Sequence, residues 1–84
     1  MENDNQETMV FNSEEIMNQL ALNTLKEVVE SLKLRGYDPI KQVVGYLVSG
    51  DPGYITSFQD ARNKICTLDR NALLELMLKE TLKL

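Results

Sequence analysis

Apolar residues recur every three or four positions along most of the chain, which is the spacing of a buried helix face. In the first such stretch the apolar positions are Ala21, Leu25, Val28, Val29 and Leu32. Asn12 precedes it with Glu15 three residues later, and Gly36 follows it. Because a capping box favours a helix start and a left-handed glycine favours a helix end, the pattern predicts a helix from near residue 13 to just before Gly36.

A second, shorter helix is predicted between Asp38 and Gly50. Asp38 supplies an N-cap, Pro39 fits the first helical position and Gly50 closes the helix. Its apolar positions are Ile40, Val43, Val44, Leu47 and Val48. This wide face predicts a central core helix. Gly45 inside it costs about 1 kcal/mol relative to alanine, which predicts the close approach of a neighbouring helix.

The second half of the chain is predicted to contain a turn and two further helices. Asp51 and Pro52 favour a turn with a single helical turn. The third helix is predicted from about 58 to 66, and the last is capped by either Thr67 or Asp69. The inward positions of the third helix are Phe58, Ala61, Ile65 and Leu68. The fold class is therefore all-α, a compact bundle of about four short helices.

The last helix has a wider apolar arc than one neighbouring helix covers. The arc comprises Leu73, Leu74, Leu76, Met77, Leu78 and Leu82. A domain this small buries little surface alone, so we expect a homodimer whose interface includes Leu73, Leu74, Met77 and Leu78. The alternative is a terminal helix that the chain itself encloses.

Length and charge divide the chain into a leader and a body. Its 84 residues allow one domain, and the formal net charge is −4. Five acids and no bases lie in the first 15 residues, which leaves the remainder at +1. We expect residues 1–11 to form a flexible acidic tail and residues 12–84 a single helical domain. Within the tail, Met9, Val10 and Phe11 can pack on the body.

Composition removes most enzyme classes. The chain has no His, no Trp and one Cys, so the usual metal-ligand sets, His-based acid–base pairs and disulfide frameworks are absent. The glycines at 45, 50 and 53 match no phosphate-binding loop. We therefore expect no catalytic residue, metal or cofactor. The acidic start does not resemble a signal peptide, which favours a cytoplasmic protein with Cys66 reduced.

A small basic cluster lies in the second half of the chain. Arg62, Lys64 and Arg70 are candidate contacts for a partner or a phosphate. They also permit an alternative in which the last two helices form a nucleic-acid-binding repressor, although the net charge disfavours it. A phosphate on Thr8 could pair with these side chains or be repelled by nearby carboxylates. Composition leaves both outcomes open.

The middle of the chain carries a long, specific motif. Residues 36–55 read GYDPIKQVVGYLVSGDPGYI, and residues 59–65 read QDARNKI. This sequence closely resembles the IreB family of regulatory phosphoproteins, also called ReoM, from about residue 7 to residue 82. The resemblance implies a small cytosolic helical homodimer without enzymatic activity and without membrane insertion.

The resemblance also implies partners and a modification site. Family members are substrates of a membrane-anchored Ser/Thr kinase with PASTA repeats and of its phosphatase. They tune cell-envelope stress responses and β-lactam tolerance through Clp-dependent turnover of the UDP-N-acetylglucosamine carboxyvinyltransferase. Thr8, shortly before Phe11, matches the family's phospho-acceptor position. A proline and a basic residue usually follow the Tyr-Ile pair in the family, whereas Thr56 and Ser57 stand there in this chain.

Overall fold

The computed structural model describes residues 13–84, and within that range every regular element is helical. The four helices are α1 (Ser13–Leu34), α2 (Pro39–Ser49), α3 (Ala61–Cys66) and α4 (Arg70–Leu82). Two 3₁₀ turns, Pro52–Tyr54 and Phe58–Asp60, connect α2 to α3. The predicted all-α class is confirmed. The predictions for the 1–11 tail, for Thr8 and for the Asn12 cap lie outside the described residues.

The helix boundaries follow the predicted capping residues. One Asp38 carboxylate oxygen accepts hydrogen bonds from the backbone N–H groups of Ile40 and Lys41, at 3.0 and 3.2 Å. Gly50 closes α2 in the left-handed region with φ +73°, and Gly36 follows α1 with φ +80°. A left-handed residue suits glycine because it has no Cβ to clash. The local sequence therefore determines where α1 ends and where α2 begins and ends.

One hydrophobic core lies between the C-terminal half of α1, α2, α3 and the chain that joins α2 to α3. Its buried members are Val28, Leu32, Val43, Tyr46, Ile55, Ala61 and Ile65. Leu25, Val29 and Leu47 are half-buried against this cluster. Burying each large aliphatic side chain contributes roughly 1.5–3 kcal/mol, so this cluster is the main source of stability in the fold.

The third helix is shorter than the sequence predicts. Residues 58–60 form a separate 3₁₀ turn, and an α-helix begins only at Ala61. The cause is a kink at Gln59 and Asp60, whose φ angles of +54° and +64° are unfavourable for residues with a Cβ. The Gln59 side-chain oxygen accepts a 2.8 Å hydrogen bond from the buried Ser31 hydroxyl, which holds this turn against α1.

The prediction that α2 is a central core helix is wrong for one of its faces. Val43 and Tyr46 are buried, but a row one quarter-turn away remains in solvent. This exposed row comprises Ile40, Val44 and Val48. Apolar spacing alone does not distinguish a face covered by the same chain from one left open, because both contribute to the same pattern.

Gly45 is close-packed, but against a ring and not against a neighbouring helix. A Cβ built on Gly45 would lie 2.5 Å from two carbons of the Tyr54 ring. The Tyr54 carbonyl accepts a 2.8 Å hydrogen bond from the side-chain amide of Gln42, which fixes the turn on α2. The glycine is therefore explained by the 3₁₀ turn after α2.

The last helix runs back along the N-terminal half of α1. Asp69, one of the two candidate caps, accepts a 2.8 Å hydrogen bond from the backbone N–H of Ala72. Leu73 and Leu76 are buried, while the outer row of α4 is exposed. The outer row comprises Leu74, Leu78 and Leu82. The described chain does not enclose this helix by itself.

Candidate functional site

The structure attaches the three basic candidates to three different elements. The Arg62 Nε donates to the carbonyl of Ile55 at 2.9 Å. The Lys64 ammonium lies 3.2 Å from a carboxylate oxygen of Glu27 on α1. The Arg70 Nη1 donates to a carbonyl of α2 at 3.0 Å. These three side chains, Arg62, Lys64 and Arg70, are called the basic trio below.

These contacts limit what the basic trio can bind. Lys64 already has a carboxylate partner, so an incoming phosphate would have to compete with Glu27 for it. Arg62 and Arg70 are exposed, and the hydrogen bond of each to a backbone carbonyl uses one guanidinium nitrogen. A guanidinium has five N–H donors, so both retain donors for a carboxylate or phosphate of a partner. The two arginines are therefore the better binding candidates.

Arg70 also packs closely on the C-terminal end of α2. Its guanidinium carbon lies 2.8 Å from where a Cβ on Gly50 would be. The side chain thus satisfies the carbonyl of Leu47 near a helix C-terminus, where positive charge is favoured. Arg70 consequently connects α4 to α2, in addition to any role in binding.

Another arginine, Arg35, lies against the first residue of the kinked turn, Phe58. The guanidinium carbon of Arg35 is 5.0 Å from the centroid of the Phe58 ring, within cation–π range. The Thr56 hydroxyl accepts a 3.2 Å hydrogen bond from the backbone N–H of Phe58. Ser57 is exposed and makes no capping bond to the turn that follows it. Thr56 is therefore used structurally, while Ser57 presents an open hydroxyl.

Tyr46 on α2 contacts Cys66 at the end of α3. The Tyr46 hydroxyl donates to the Cys66 sulfur at 3.8 Å. Burial raises the pKa of the Tyr46 phenol, and the hydrogen bond to Cys66 raises it further, while the nearby Arg70 opposes the shift. The ring therefore stays neutral at physiological pH, and the arrangement is structural.

The three leucines and one methionine predicted for a dimer interface occupy different environments. Leu73 is only 3% exposed and belongs to the interior of its own chain, and Met77 is half-buried. Leu74 and Leu78 are 42% and 58% exposed. Leu74 also lines a shallow hollow with Leu47 of α2 and with Arg70. The apolar surface of α4 therefore adjoins α2 next to an arginine of the basic trio.

A separate apolar groove lies between α1 and α4. It has a volume of about 400 Å³. Its apolar lining consists of Met17, Leu20, Ala21, Leu68, Ala72, Leu73 and Leu76. Asp69 is the only charged residue that lines this groove among the described residues. The sequence pattern did not indicate this groove, since Met17 and Leu20 lie outside the stripe predicted to be buried on α1.

Metal binding and membrane insertion were considered for the described residues. Between residues 13 and 84, no group of three or more His, Cys, Asp or Glu side chains is arranged to hold a metal ion. None of the helices in that same range is both long enough and apolar enough to span a membrane.

Two features of the described residues could not be predicted from the sequence. The Ile40, Val44 and Val48 row repeats every four residues, but this spacing does not show that the row is left exposed. The left-handed pair at Gln59 and Asp60 has only a weak sequence signal, because neither residue is glycine and only Asp is enriched in this region. Both features require knowledge of what packs against the helix.

Comparison with known proteins identifies a family over nearly all of the described residues. The family model for the IreB regulatory phosphoprotein matches residues 6–83. A UPF0297 protein of Acetivibrio thermocellus is 48% identical over 75 residues, which cover 89% of this chain and 83% of that relative. The resemblance carried by the motifs at 36–55 and 59–65 is confirmed, and the chain belongs to the IreB family of regulatory phosphoproteins.

Proposed function

We propose that this chain is a non-enzymatic, cytoplasmic regulator switched by phosphorylation of Thr8. A membrane-anchored Ser/Thr kinase with PASTA repeats adds the phosphate, and its partner phosphatase removes it. The switch tunes the cell-envelope stress response and the synthesis of peptidoglycan precursor. It acts through Clp-dependent proteolysis of the UDP-N-acetylglucosamine carboxyvinyltransferase.

The observation that carries this proposal is the extent of the family match. The match runs from residue 6 to residue 83 and therefore includes Thr8 as well as the helical body. The charge distribution supports it, since the first 15 residues carry five acids and no bases. A phosphate adds roughly −1.5 to −2 charge there, which changes how that segment meets a charged partner.

We propose that Arg62 and Arg70 each contact the regulated partner. Both guanidinium groups retain donors, and Arg70 lines a shallow hollow with Leu47 and Leu74. Leu74 is 42% exposed beside Arg70, and arginine is enriched in protein interfaces. The nucleic-acid-binding alternative gains no support from these contacts, because Lys64 is paired with Glu27.

The body is proposed to act as a homodimer through the outer row of α4. Leu74 and Leu78 provide exposed apolar area, and Leu73 supports the helix from inside the chain. The double substitution Leu74→Asp and Leu78→Asp should abolish the dimer in sedimentation equilibrium, because charges are depleted from interface cores. Leu34→Asp is the control, since Leu34 is 65% exposed at the far end of α1.

The modification site is tested with the cognate kinase and mass spectrometry. One dominant phosphothreonine should appear in the unaltered chain, and Thr8→Ala should remove it. Ser57→Ala is the matched control, because Ser57 offers an exposed hydroxyl on the body. If Thr8→Ala is phosphorylated as fully as the unaltered chain, or if Ser57→Ala removes the signal, the assignment of Thr8 is wrong.

The regulatory consequence is tested in cells challenged with a cell-wall antibiotic. Thr8→Ala and Thr8→Glu strains should differ in tolerance and in the half-life of the carboxyvinyltransferase. Identical behaviour of the two strains would instead support a structural dimerisation module without a switch.

A further inference from the structure

The groove between α1 and α4 is an apolar surface that the described residues leave open. Its volume of about 400 Å³ falls in the range of pockets that enclose small ligands, roughly 300–1,000 Å³. Met17 and Leu20 on its α1 wall are 64% and 55% exposed. Ile16, beside them on the first turns of α1, is 46% exposed. Such a concentration of exposed apolar side chains indicates a binding surface.

The chain provides a segment of suitable chemistry directly beside this groove. Met9, Val10 and Phe11 are three consecutive apolar residues that end one position before Asn12. The eight residues before them include three acids and only one apolar side chain, Met1. The apolar triplet therefore gains from burial, whereas the rest of the leader does not.

The connection is long enough for these residues to reach the groove. Extended chain covers about 3.3–3.6 Å per residue, so Met9 can lie up to roughly 14 Å from Ser13. An α-helix rises about 1.5 Å per residue, which places Met17 and Leu20 about 6 and 10 Å along the axis from Ser13. If Asn12 caps α1, Phe11 and Ile16 also occupy the two positions of a hydrophobic staple.

We propose that residues 9–11 of the unmodified chain fold back and dock in the α1–α4 groove of the same molecule. The short tether gives the segment a high effective concentration at the groove of its own chain. Apolar contact carries the docking, since Asp69 is the only charge among the described lining residues. The proposal concerns the unmodified protein and does not depend on which kinase acts on Thr8.

A single tryptophan tests this docking because the chain has none of its own. In a full-length Phe11→Trp protein, we expect emission at shorter wavelength than that of a free indole and reduced quenching by acrylamide. Both signals should be independent of protein concentration. Emission and quenching typical of a solvent-exposed indole would overturn the proposal.

Two further substitutions in the Phe11→Trp background locate the binding surface. Leu20→Gln and Ala72→Gln place polar side chains on opposite walls of the groove, so either should shift the emission to longer wavelength. Leu34→Gln is the control on the same helix, outside the groove, and should leave the emission unchanged. Circular dichroism confirms that each variant remains helical.

Two results would assign the signal to another cause. If the blue shift disappears on dilution, a second copy buries residue 11, and docking within one molecule is wrong. If Leu34→Gln abolishes the shift while Leu20→Gln and Ala72→Gln preserve it, the indole lies elsewhere. Loss of phosphorylation in the kinase assay with an intact blue shift would contradict only the function proposed for Thr8.

Discussion

The two ends of α1 are packed in different ways. The C-terminal half of α1 forms the closed half of the molecule with α2, α3 and the turns between them, and its core side chains are 0–8% exposed. The N-terminal half of α1 and α4 form the open half, where Leu20, Leu78 and Leu82 are 55–58% exposed. The closed half encloses a contiguous core, although the Ile40, Val44 and Val48 row of α2 stays exposed. In the open half, α4 buries only Leu73 and Leu76. Most of the buried core therefore lies at one end of α1.

The largest expected effect comes from opening a cavity in the closed half. Leu32 is fully buried, so Leu32→Ala should lower the free energy of unfolding by about 2–5 kcal/mol. Leu82→Ala, in the open half, should cost less than about 1 kcal/mol at protein concentrations low enough to give monomers, because that side chain is 58% exposed in the single chain. Urea denaturation followed by circular dichroism measures both.

The same pair of variants tests whether the open half is exposed in solution. If Leu82→Ala costs as much as Leu32→Ala, and the cost grows with protein concentration, a second copy closes the open half in solution. An equal cost without concentration dependence would show that α4 is covered within one molecule. The first result would support the homodimer proposed through the outer row of α4, whereas the second would contradict it.

A smaller loss is expected from the close approach of Tyr54 to α2. Gly45→Ala places a Cβ 2.5 Å from the Tyr54 ring, so the ring must move. Overpacking of this kind costs about 1–3 kcal/mol, which outweighs the gain of about 1 kcal/mol in helix propensity. Thermal denaturation should show the loss.

A double-mutant cycle separates the two contributions to this loss. In a Tyr54→Ala background the ring is absent, so Gly45→Ala should become neutral or stabilising. A Gly45→Ala loss that persists without the ring would mean that another feature requires the glycine.

These contrasts show which parts of the fold the sequence determined. The ends of α2 were predictable because Asp38, Pro39 and Gly50 act through local backbone geometry. The kink at Gln59 was not, because it depends on Ser31, 28 positions away in the chain. A hydrogen bond between distant residues leaves no periodic signal.

The candidate site was predictable only in part, for the same reason. The charge of Arg62, Lys64 and Arg70 was visible in the sequence, but their partners were not. Only the fold shows that Lys64 forms an ion pair with Glu27 and that Arg70 donates to the Leu47 carbonyl. The family motif identified the class of protein because it depends on residue identity and not on contacts.

Substitutions at the helix caps test whether the closed half and the open half unfold together. Asp38 caps α2 and Asp69 caps α4, so replacing either by alanine should cost about 1 kcal/mol. Hydrogen exchange should then differ between them. Asp38→Ala should accelerate exchange throughout the closed half, whereas Asp69→Ala should accelerate it mainly in α4. Equal acceleration at Leu32 and Ile65 in both variants would show one cooperative unit.

The smallest effect at neutral pH is expected from the Tyr46 hydroxyl in the closed half. Burial and the hydrogen bond to Cys66 raise the pKa of Tyr46 above its ordinary value of 10.0. A raised pKa means that folding favours the neutral phenol, so this stabilisation is complete below pH 10 and is lost as the pH rises toward the folded-state pKa. Tyr46→Phe cannot ionise at this position, so its urea midpoint should fall less steeply above pH 10 than that of the unaltered chain.

Tyr37→Phe is the control, because Tyr37 is 49% exposed, and it should retain the full alkaline decline. If Tyr46→Phe declines as steeply as the unaltered chain, the loss at high pH comes from groups outside the core, and the closed half would be no more sensitive to alkali than the open one.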